Sequence, residues 1–289
     1  MGRSKDRRDI FYRKAKEEGY RARSAFKLLQ IDNEFDILSG VTRAVDLCAA
    51  PGSWSQVLAQ RVNPTAAEGR LVAVDLNEIA DIDGVTFLQG DITQVSTAES
   101  IIELFSGELA DLVVCDGAPD VSGLHDLDEY IQAQLVLAAF NIASFLLRCG
   151  GTFLTKVFRA SHSNLLVQQM KIFFDKVLYT KPTSSRASSA EAFLLCQGFR
   201  PPSWYVPDLT LSPSHLPEDF DVWSNDDPRK RFIPFVACGD VSGWDSMKSF
   251  QLEMEEMVLQ PVAEPINPPY AEAIRQENLR KVQRVSEDD

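Results

Sequence analysis

The chain has 289 residues, 45% of them hydrophobic, with 29 Lys/Arg against 42 Asp/Glu for a formal net charge of −13. That length accommodates one α/β domain of about 200 residues plus an extension, while no apolar run reaches the roughly 18 residues of a membrane span and the charged N-terminus is unlike a secretory signal. Five scattered cysteines with no CxxC pair and three distant histidines give no metal-ligand spacing, so reduced thiols and a cytoplasmic protein are expected.

The charge is unevenly distributed. Residues 1–30 hold ten Lys/Arg and four Asp/Glu, a net of +6, whereas residues 201–289 hold eight and seventeen, a net of −9. A local basic field can attract a phosphate backbone whatever the sum; it can equally be a solvated basic face. Phe11 and Tyr12 are the expected anchors of the polar N-terminal stretch. Residues 20–36 read as a helix, because Ala22, Ala25, Phe26 and Leu29 recur at i, i+3, i+4, i+7. On that helix Arg23 and Lys27 are expected to point outward, with Arg21 beside them.

From 42 to 198 strands and helices alternate. Near-continuous apolar runs at 43–47, 71–75, 85–88, 111–115, 152–157 and 192–197 read as strands covered on both faces. Helical patterns fall at 53–61, 96–105, 126–148 and 163–177. This alternation predicts an α/β fold with a doubly wound, mostly parallel sheet. Ligands in such sheets bind beyond the carboxyl ends of the strands, where the strand order reverses. Pro201-Pro202 closes this domain. The remainder, 201–289, reads as an irregular acidic extension with a Pro-rich stretch from Pro261 to Pro269 and a polar helix at 270–286.

The residues 46–54, DLCAAPGSW, lie between the first strand and the first helix after it. A Gly-bearing turn there lets backbone N–H groups approach a ligand, but the glycine spacing is wrong for a dinucleotide site. Asp75, Asp91 and Asp116 end later strands. A crevice with these acids suits a cationic, ribose-bearing cofactor such as S-adenosylmethionine. Lys156 ends the apolar strand GGTFLTKVF; either it snorkels to solvent, or its burial lowers its pKa and leaves a neutral amine able to take a proton. Asp116 opens the turn DGAPD and Glu191 opens a buried strand; each is either a turn or loop acid or the partner of a buried cation.

Four blocks together resemble the FtsJ/RrmJ family of S-adenosylmethionine-dependent ribose 2′-O-methyltransferases: YRARSAFKL (20–28), DLCAAPGSWSQ (46–56), VCDGAPD with GLHDLDEY (114–130), and TKVF with KPTSSRASSAEAF (155–193). The N-terminal block and GLHDLDEY are most similar to the eukaryotic tRNA anticodon-loop enzymes of that family. The resemblance implies a Lys-Asp-Lys-Glu tetrad at Lys27, Asp116, Lys156 and Glu191, with Lys156 the general base. It implies cofactor contacts at Gly52, Trp54, Asp75, Asp91 and Asp116, and RNA contacts at Arg21, Arg23 and Lys27. It divides the chain into a basic RNA-binding segment (1–36), a methyltransferase domain (37–200) and a partner-docking extension (201–289). The implied substrate is tRNA at nucleotides 32 or 34, with a WD-repeat or armadillo-like protein partner. An rRNA or mRNA-cap ribose methyltransferase, or a non-catalytic RNA-binding scaffold, are the alternatives. One departure from the family is VFRASH, where Ala160 replaces the usual glycine.

Overall fold

A computed structural model of the chain describes residues 9–62, 70–119, 125–159, 163–203, 205–209 and 235–239. In chain order the elements are α1 (Ile10–Glu17), α2 (Ala25–Phe35), β1 (Arg43–Leu47), α3 (Ser53–Arg61), β2 (Arg70–Asp75), β3 (Thr86–Gln89) and α4 (Val95–Phe105). Then follow β4 (Ala110–Cys115), α5 (His125–Leu146), β5 (Leu147–Phe158), α6 (Ser163–Phe173), β6 (Phe174–Pro182), β7 (Glu191–Phe199) and β8 (Phe235–Cys238).

The strands form one eight-stranded sheet in the order β3-β2-β1-β4-β5-β7-β6-β8. The pairs β1/β2, β2/β3, β1/β4 and β4/β5 are parallel. Strand β7 runs antiparallel between β5 and β6. The order reverses between β1 and β4, which opens a crevice beyond Leu47 and Cys115, themselves register partners. Asp111 aligns these two strands: its carboxylate accepts from the Thr42 N–H at 2.9 Å and the Arg43 N–H at 3.0 Å.

Each face of the sheet is covered. On one side α2 and α3 bury Leu28, Ile31, Trp54, Val57 and Leu58 against Ala44, Leu112, Leu154 and Leu195. On the other, α4, α5 and α6 bury Ile101, Phe105, Ala139, Phe140 and Met170 against Val45, Val113 and Phe153. Phe140 is fully buried, its ring 5.0 Å from Phe173 and 5.9 Å from Phe153 and Phe174. Burying a side chain of this size stabilises by roughly 2–3 kcal/mol. The doubly wound, mostly parallel arrangement read from the alternation is thus the observed fold.

Several boundaries differ from the sequence reading. Residues 10–17 form a helix that the polar composition hides; Asp9 caps it, accepting from the N–H groups of Phe11 at 3.0 Å and Tyr12 at 3.2 Å. The helix expected over 20–36 begins only at Ala25, because Arg21 to Ser24 form a turn that engages neighbouring segments. The helix expected over 163–177 stops at Phe173, and β6, absent from the sequence reading, begins at Phe174. There Phe174, Val177 and Tyr179 face the core while Asp175 and Lys176 are exposed, a strand pattern that a helical period can also accommodate. The extension is not wholly irregular, since β8 pairs in parallel with β6. Ala160, the Pro261–Pro269 stretch and the helix expected at 270–286 lie outside the described residues. Cys115, Cys196 and Cys238 are buried, Cys48 is half-buried and Cys149 exposed; all five are free thiols.

Candidate active site

Register brings the charged residues together. Cys115 pairs with Thr155 across β4 and β5, so Asp116 emerges beside Lys156. In the antiparallel β5/β7 pair Glu191 lies opposite Phe158, two residues past Lys156, and is therefore a diagonal neighbour of that lysine on the same face. Helix α2 crosses this face and delivers Lys27 to the same point. The Lys27 ammonium lies 2.8 Å from a Glu191 carboxylate oxygen and 3.6 Å from Asp116 Oδ1. The Lys156 ammonium lies 3.1 Å from the same Asp116 oxygen and donates to the Asp116 carbonyl at 2.6 Å. All four tetrad candidates converge, although Lys27 and Glu191 are 164 positions apart.

Two uncharged residues that the sequence does not single out hold this cluster. The Ser185 hydroxyl donates to the second Glu191 oxygen at 2.7 Å. Gln132 of α5, itself buried, donates through Nε2 to the carbonyls of Lys156 at 2.9 Å and Gly117 at 3.2 Å. It ties the turn after β4 to the catalytic strand. A Ser in a Ser-rich loop and a Gln inside a long helix carry no pattern that marks them.

The charge state of Lys156 differs from the expectation. Burial alone would lower its pKa, but the Asp116 and Glu191 carboxylates outweigh desolvation and raise it above the ordinary lysine value. In the ligand-free protein Lys156 is therefore an ammonium, not a neutral amine. Glu191 behaves correspondingly. Burial would raise it, yet the Lys27 charge and hydrogen bond hold its carboxyl below the usual range.

Beside the tetrad a cavity of about 460 Å³ opens over the strand ends, its lining including Ala50, Asp75, Asp91, Thr93, Asp116 and Gln134. This is within the size range of small-molecule sites, about 300–1,000 Å³. Among the described residues that line it three are carboxylates and none is a Lys or Arg. That donor-seeking, anionic wall suits a cofactor carrying a sulfonium, an ammonium, ribose hydroxyls and an adenine amino group, and it disfavours one bearing phosphates. Asp75 is fixed by the Ala50 N–H at 2.9 Å and the Asn77 N–H at 2.8 Å. Asp91 is fixed through one oxygen by Thr93, whose N–H and hydroxyl lie at 2.9 and 2.8 Å.

Not every cofactor candidate reaches the cavity. Trp54 is 2% exposed; its indole N–H donates to the Ser24 carbonyl at 2.8 Å and its ring packs 5.6 Å from Phe193. It is a core residue that clamps α3 to α2. Gly52 caps α3 with φ +102, and a Cβ there would meet Arg21 Nη1 at 2.7 Å; its role is close backbone approach. The outward orientation expected of the N-terminal cations is also corrected. Arg21 donates to the Pro51, Ala80 and Asp81 carbonyls, and Arg23 pairs with buried Asp9 and donates to the Ser184 carbonyl. Both guanidinium groups tie segments of the protein to one another, and Lys27 points into the crevice.

Beneath the turn, Asp46 is fully buried and accepts from the Ser55 hydroxyl at 2.6 Å. Burial, aided by the neighbouring Asp116 and Asp75 charges and opposed by the Ser55 hydrogen bond, pushes its pKa up to about 7. Among the described residues no group of His, Cys, Asp and Glu is arranged to hold a metal ion. Among the same residues no helix is long and apolar enough to cross a membrane.

Comparison with known proteins agrees with this geometry. Residues 20–199 match the FtsJ-like methyltransferase family. The chain is 56% identical to the mouse (Mus musculus) tRNA (cytidine(32)/guanosine(34)-2′-O)-methyltransferase, over 95% of this chain and 86% of that one. It is 49% identical to the Schizosaccharomyces pombe protein of the same name, over 95% and 97% respectively. Among solved structures, a ribosomal RNA methyltransferase from Plasmodium falciparum superposes with a TM-score of 0.56 at 26% identity, covering 62% of this chain and 98% of that one. The paired lysines and acids, the anionic cavity at the strand reversal and these matches together place the chain in the FtsJ-like methyltransferase family.

Proposed function

We propose that this chain transfers a methyl group from S-adenosylmethionine to the ribose 2′-hydroxyls of tRNA nucleotides 32 and 34. The observation that carries the reading is the convergence of Lys27, Asp116, Lys156 and Glu191 at the edge of the cavity, with Asp116 common to both. The 32/34 assignment rests on the two relatives at 56% and 49% identity. The Plasmodium rRNA enzyme is far more distant, at 26%.

In this reading Asp75 accepts from the cofactor's ribose and Asp91 from its adenine amino group, and the backbone around Ala50 holds its amino-acid end. When bound, the cofactor would supply an electrophilic methyl on a sulfonium, with a neutral thioether as its leaving group. The tetrad has a formal charge of zero, two ammonium and two carboxylate groups. A further positive charge beside it opposes the Lys156 ammonium and lowers the pKa that the acids raise. Lys156 Nζ, having released its own proton to solvent, would then accept the 2′-hydroxyl proton as that oxygen attacks. Glu191 and Asp116 hold Lys27 at the edge of the crevice, where its charge meets the target nucleotide. Alignment of oxygen, carbon and sulfur is the chief contribution of such a site.

The basic 1–36 segment is the surface we assign to the tRNA backbone. The Asp9–Arg23 pair and the Arg23–Ser184 hydrogen bond hold that segment against the loop that carries Ser185 and leads to Glu191. The acidic 201–289 extension is the surface for a WD-repeat or armadillo-like partner that selects the nucleotide, and the cytoplasm is the compartment. The test is a map of ribose methylation across total tRNA with and without the protein. Loss at 32 and 34 is expected. Retention at both positions would overturn the assignment, and loss confined to rRNA would redirect it.

A further inference from the structure

Arg21 belongs to the motif expected to grip RNA, yet its partly buried guanidinium is engaged by the protein's own backbone. Nη1 donates to the Pro51 carbonyl at 3.1 Å and to the Ala80 carbonyl at 2.7 Å, and Nη2 donates to the Asp81 carbonyl at 2.9 Å. Its backbone N–H donates to Gln56 Oε1 at 2.8 Å, and Gln56 Nε2 returns to the Gly19 carbonyl at 3.1 Å, so the residue is fixed at both ends. The two loops it joins meet over a small apolar cluster of Ala49, Ala73 and Ile79, with Ala50 and Ile82 packed on it. Gly52 leaves the space the guanidinium needs, since a Cβ there would come within 2.7 Å of Nη1.

Both loops carry the cavity wall. The 49–52 turn supplies Ala50, β2 ends on Asp75, and the loop after it starts with Leu76 and Asn77. Beside Arg21, the turn is joined to β2 by the Ala49 N–H to the Val74 carbonyl at 3.0 Å and the Ala50 N–H to Asp75, but to the loop beyond β2 through the apolar cluster. Three charge-assisted hydrogen bonds on backbone carbonyls therefore set the width of the cofactor end of the cavity. We infer that Arg21 is a positioning residue for the S-adenosylmethionine site, acting through the Pro51 and Ala80–Asp81 backbone, and not a phosphate contact. The inference rests on the cofactor occupying the cavity lined by Asp75.

The planar fork matters here as much as the charge, because one group must reach carbonyls on two loops. Arg21→Lys keeps the cation but not the fork, which separates the two roles. The experiment uses the full-length chain and measures S-adenosylmethionine affinity by calorimetry, and tRNA affinity over a range of salt concentrations. Arg21→Ala and Arg21→Lys are each expected to weaken cofactor binding about tenfold or more, the loss of one or more charged hydrogen bonds. Their tRNA affinity and salt slope should stay within about twofold of wild type, and the KM for cofactor should rise more than kcat falls. Cofactor affinity within twofold of wild type in either variant would overturn the inference. So would a tRNA salt slope reduced by about one in Arg21→Ala and restored in Arg21→Lys, the signature of a phosphate contact. Should Arg21→Ala fail to fold, Arg21→Lys alone carries both measurements. Asp75→Ala is the control for the cavity itself. If it binds cofactor normally, the placement of the cofactor is wrong; if it loses binding while the Arg21 variants keep it, only the positioning role fails.

Discussion

The two sides of the strand-end crevice are built on opposite electrostatic plans. The cofactor side presents Asp75, Asp91 and Asp116 to the cavity with no lysine or arginine among the described lining residues, so no lining cation balances its charge. The catalytic side balances Lys27 and Lys156 against Asp116 and Glu191 at 2.8–3.6 Å, so its charge is already satisfied. Asp116 is the one residue common to both. An anionic wall attracts a cationic cofactor, and a neutral, tightly paired cluster keeps a buried lysine protonated until a further positive charge arrives. The pKa of Lys156 is therefore a property of the occupied site, and the ligand-free protein is expected to be a poor base.

The largest test of this division is Lys156→Arg. Arginine keeps the positive charge and can pair with Asp116, but does not give up a proton at accessible pH. The proposed base role predicts a loss of about 10²–10⁴ in kcat, with cofactor affinity nearly unchanged. Activity within a few-fold of wild type would make Lys156 an electrostatic anchor only. In the wild type, kcat should rise with pH because the base must be unprotonated. The raised pKa of the free protein puts the inflection of kcat/KM for cofactor at higher pH than that of kcat, which reports the occupied site.

Below the cofactor turn, Asp46 gives a stability test of the anionic side. Its folded pKa of about 7 lies above its unfolded value. The native state binds the extra proton, so this group's contribution to stability is greatest below its unfolded pKa and falls as pH rises toward 7. Asp46→Asn removes this dependence. The wild type should lose on the order of 2 kcal/mol relative to Asp46→Asn between pH 5 and 7, read from unfolding midpoints at each pH. Parallel profiles for the two proteins would show that Asp46 is ionised throughout, and that the strand ends tolerate more negative charge than the burial suggests.

The same contrast explains which parts of the site the sequence exposes. Asp75, Asp91 and Asp116 stand at or just beyond the ends of apolar strands, and parallel strands place their ends at one edge, so composition and order reveal them. Lys156 is legible for the same reason. Lys27 and Glu191 are not: they meet through the antiparallel β5/β7 register and the crossing of α2, and only family resemblance pairs them in advance. The direction of the Lys156 shift was hidden because burial can be read from an apolar run, whereas two carboxylates within ion-pair range cannot. Arg21 and Arg23 mislead because a basic residue on a short turn has the same sequence signature whether it faces water or a neighbouring carbonyl. The first half of β6 reads as helix because Phe174 and Val177, three apart, continue a helical apolar spacing past the point where the Arg200 N–H binds the Phe173 carbonyl.

The smallest expected effect is the most direct measure of how separable the two sides are. The Ser185 hydroxyl meets the catalytic side through its 2.7 Å hydrogen bond to Glu191, and Glu191 keeps its ion pair with Lys27 when that bond is lost. A single hydrogen bond of this kind contributes about 1 kcal/mol, so Ser185→Ala should lower kcat about fivefold. Because Glu191 is not among the described residues lining the cavity, the cofactor Kd should not move. Ser185→Thr, which restores the hydroxyl, should recover most of the rate. An equal rise in cofactor Kd in Ser185→Ala would mean that tension in the tetrad is transmitted through Asp116 into the cavity wall, and that the two charge plans form one coupled unit.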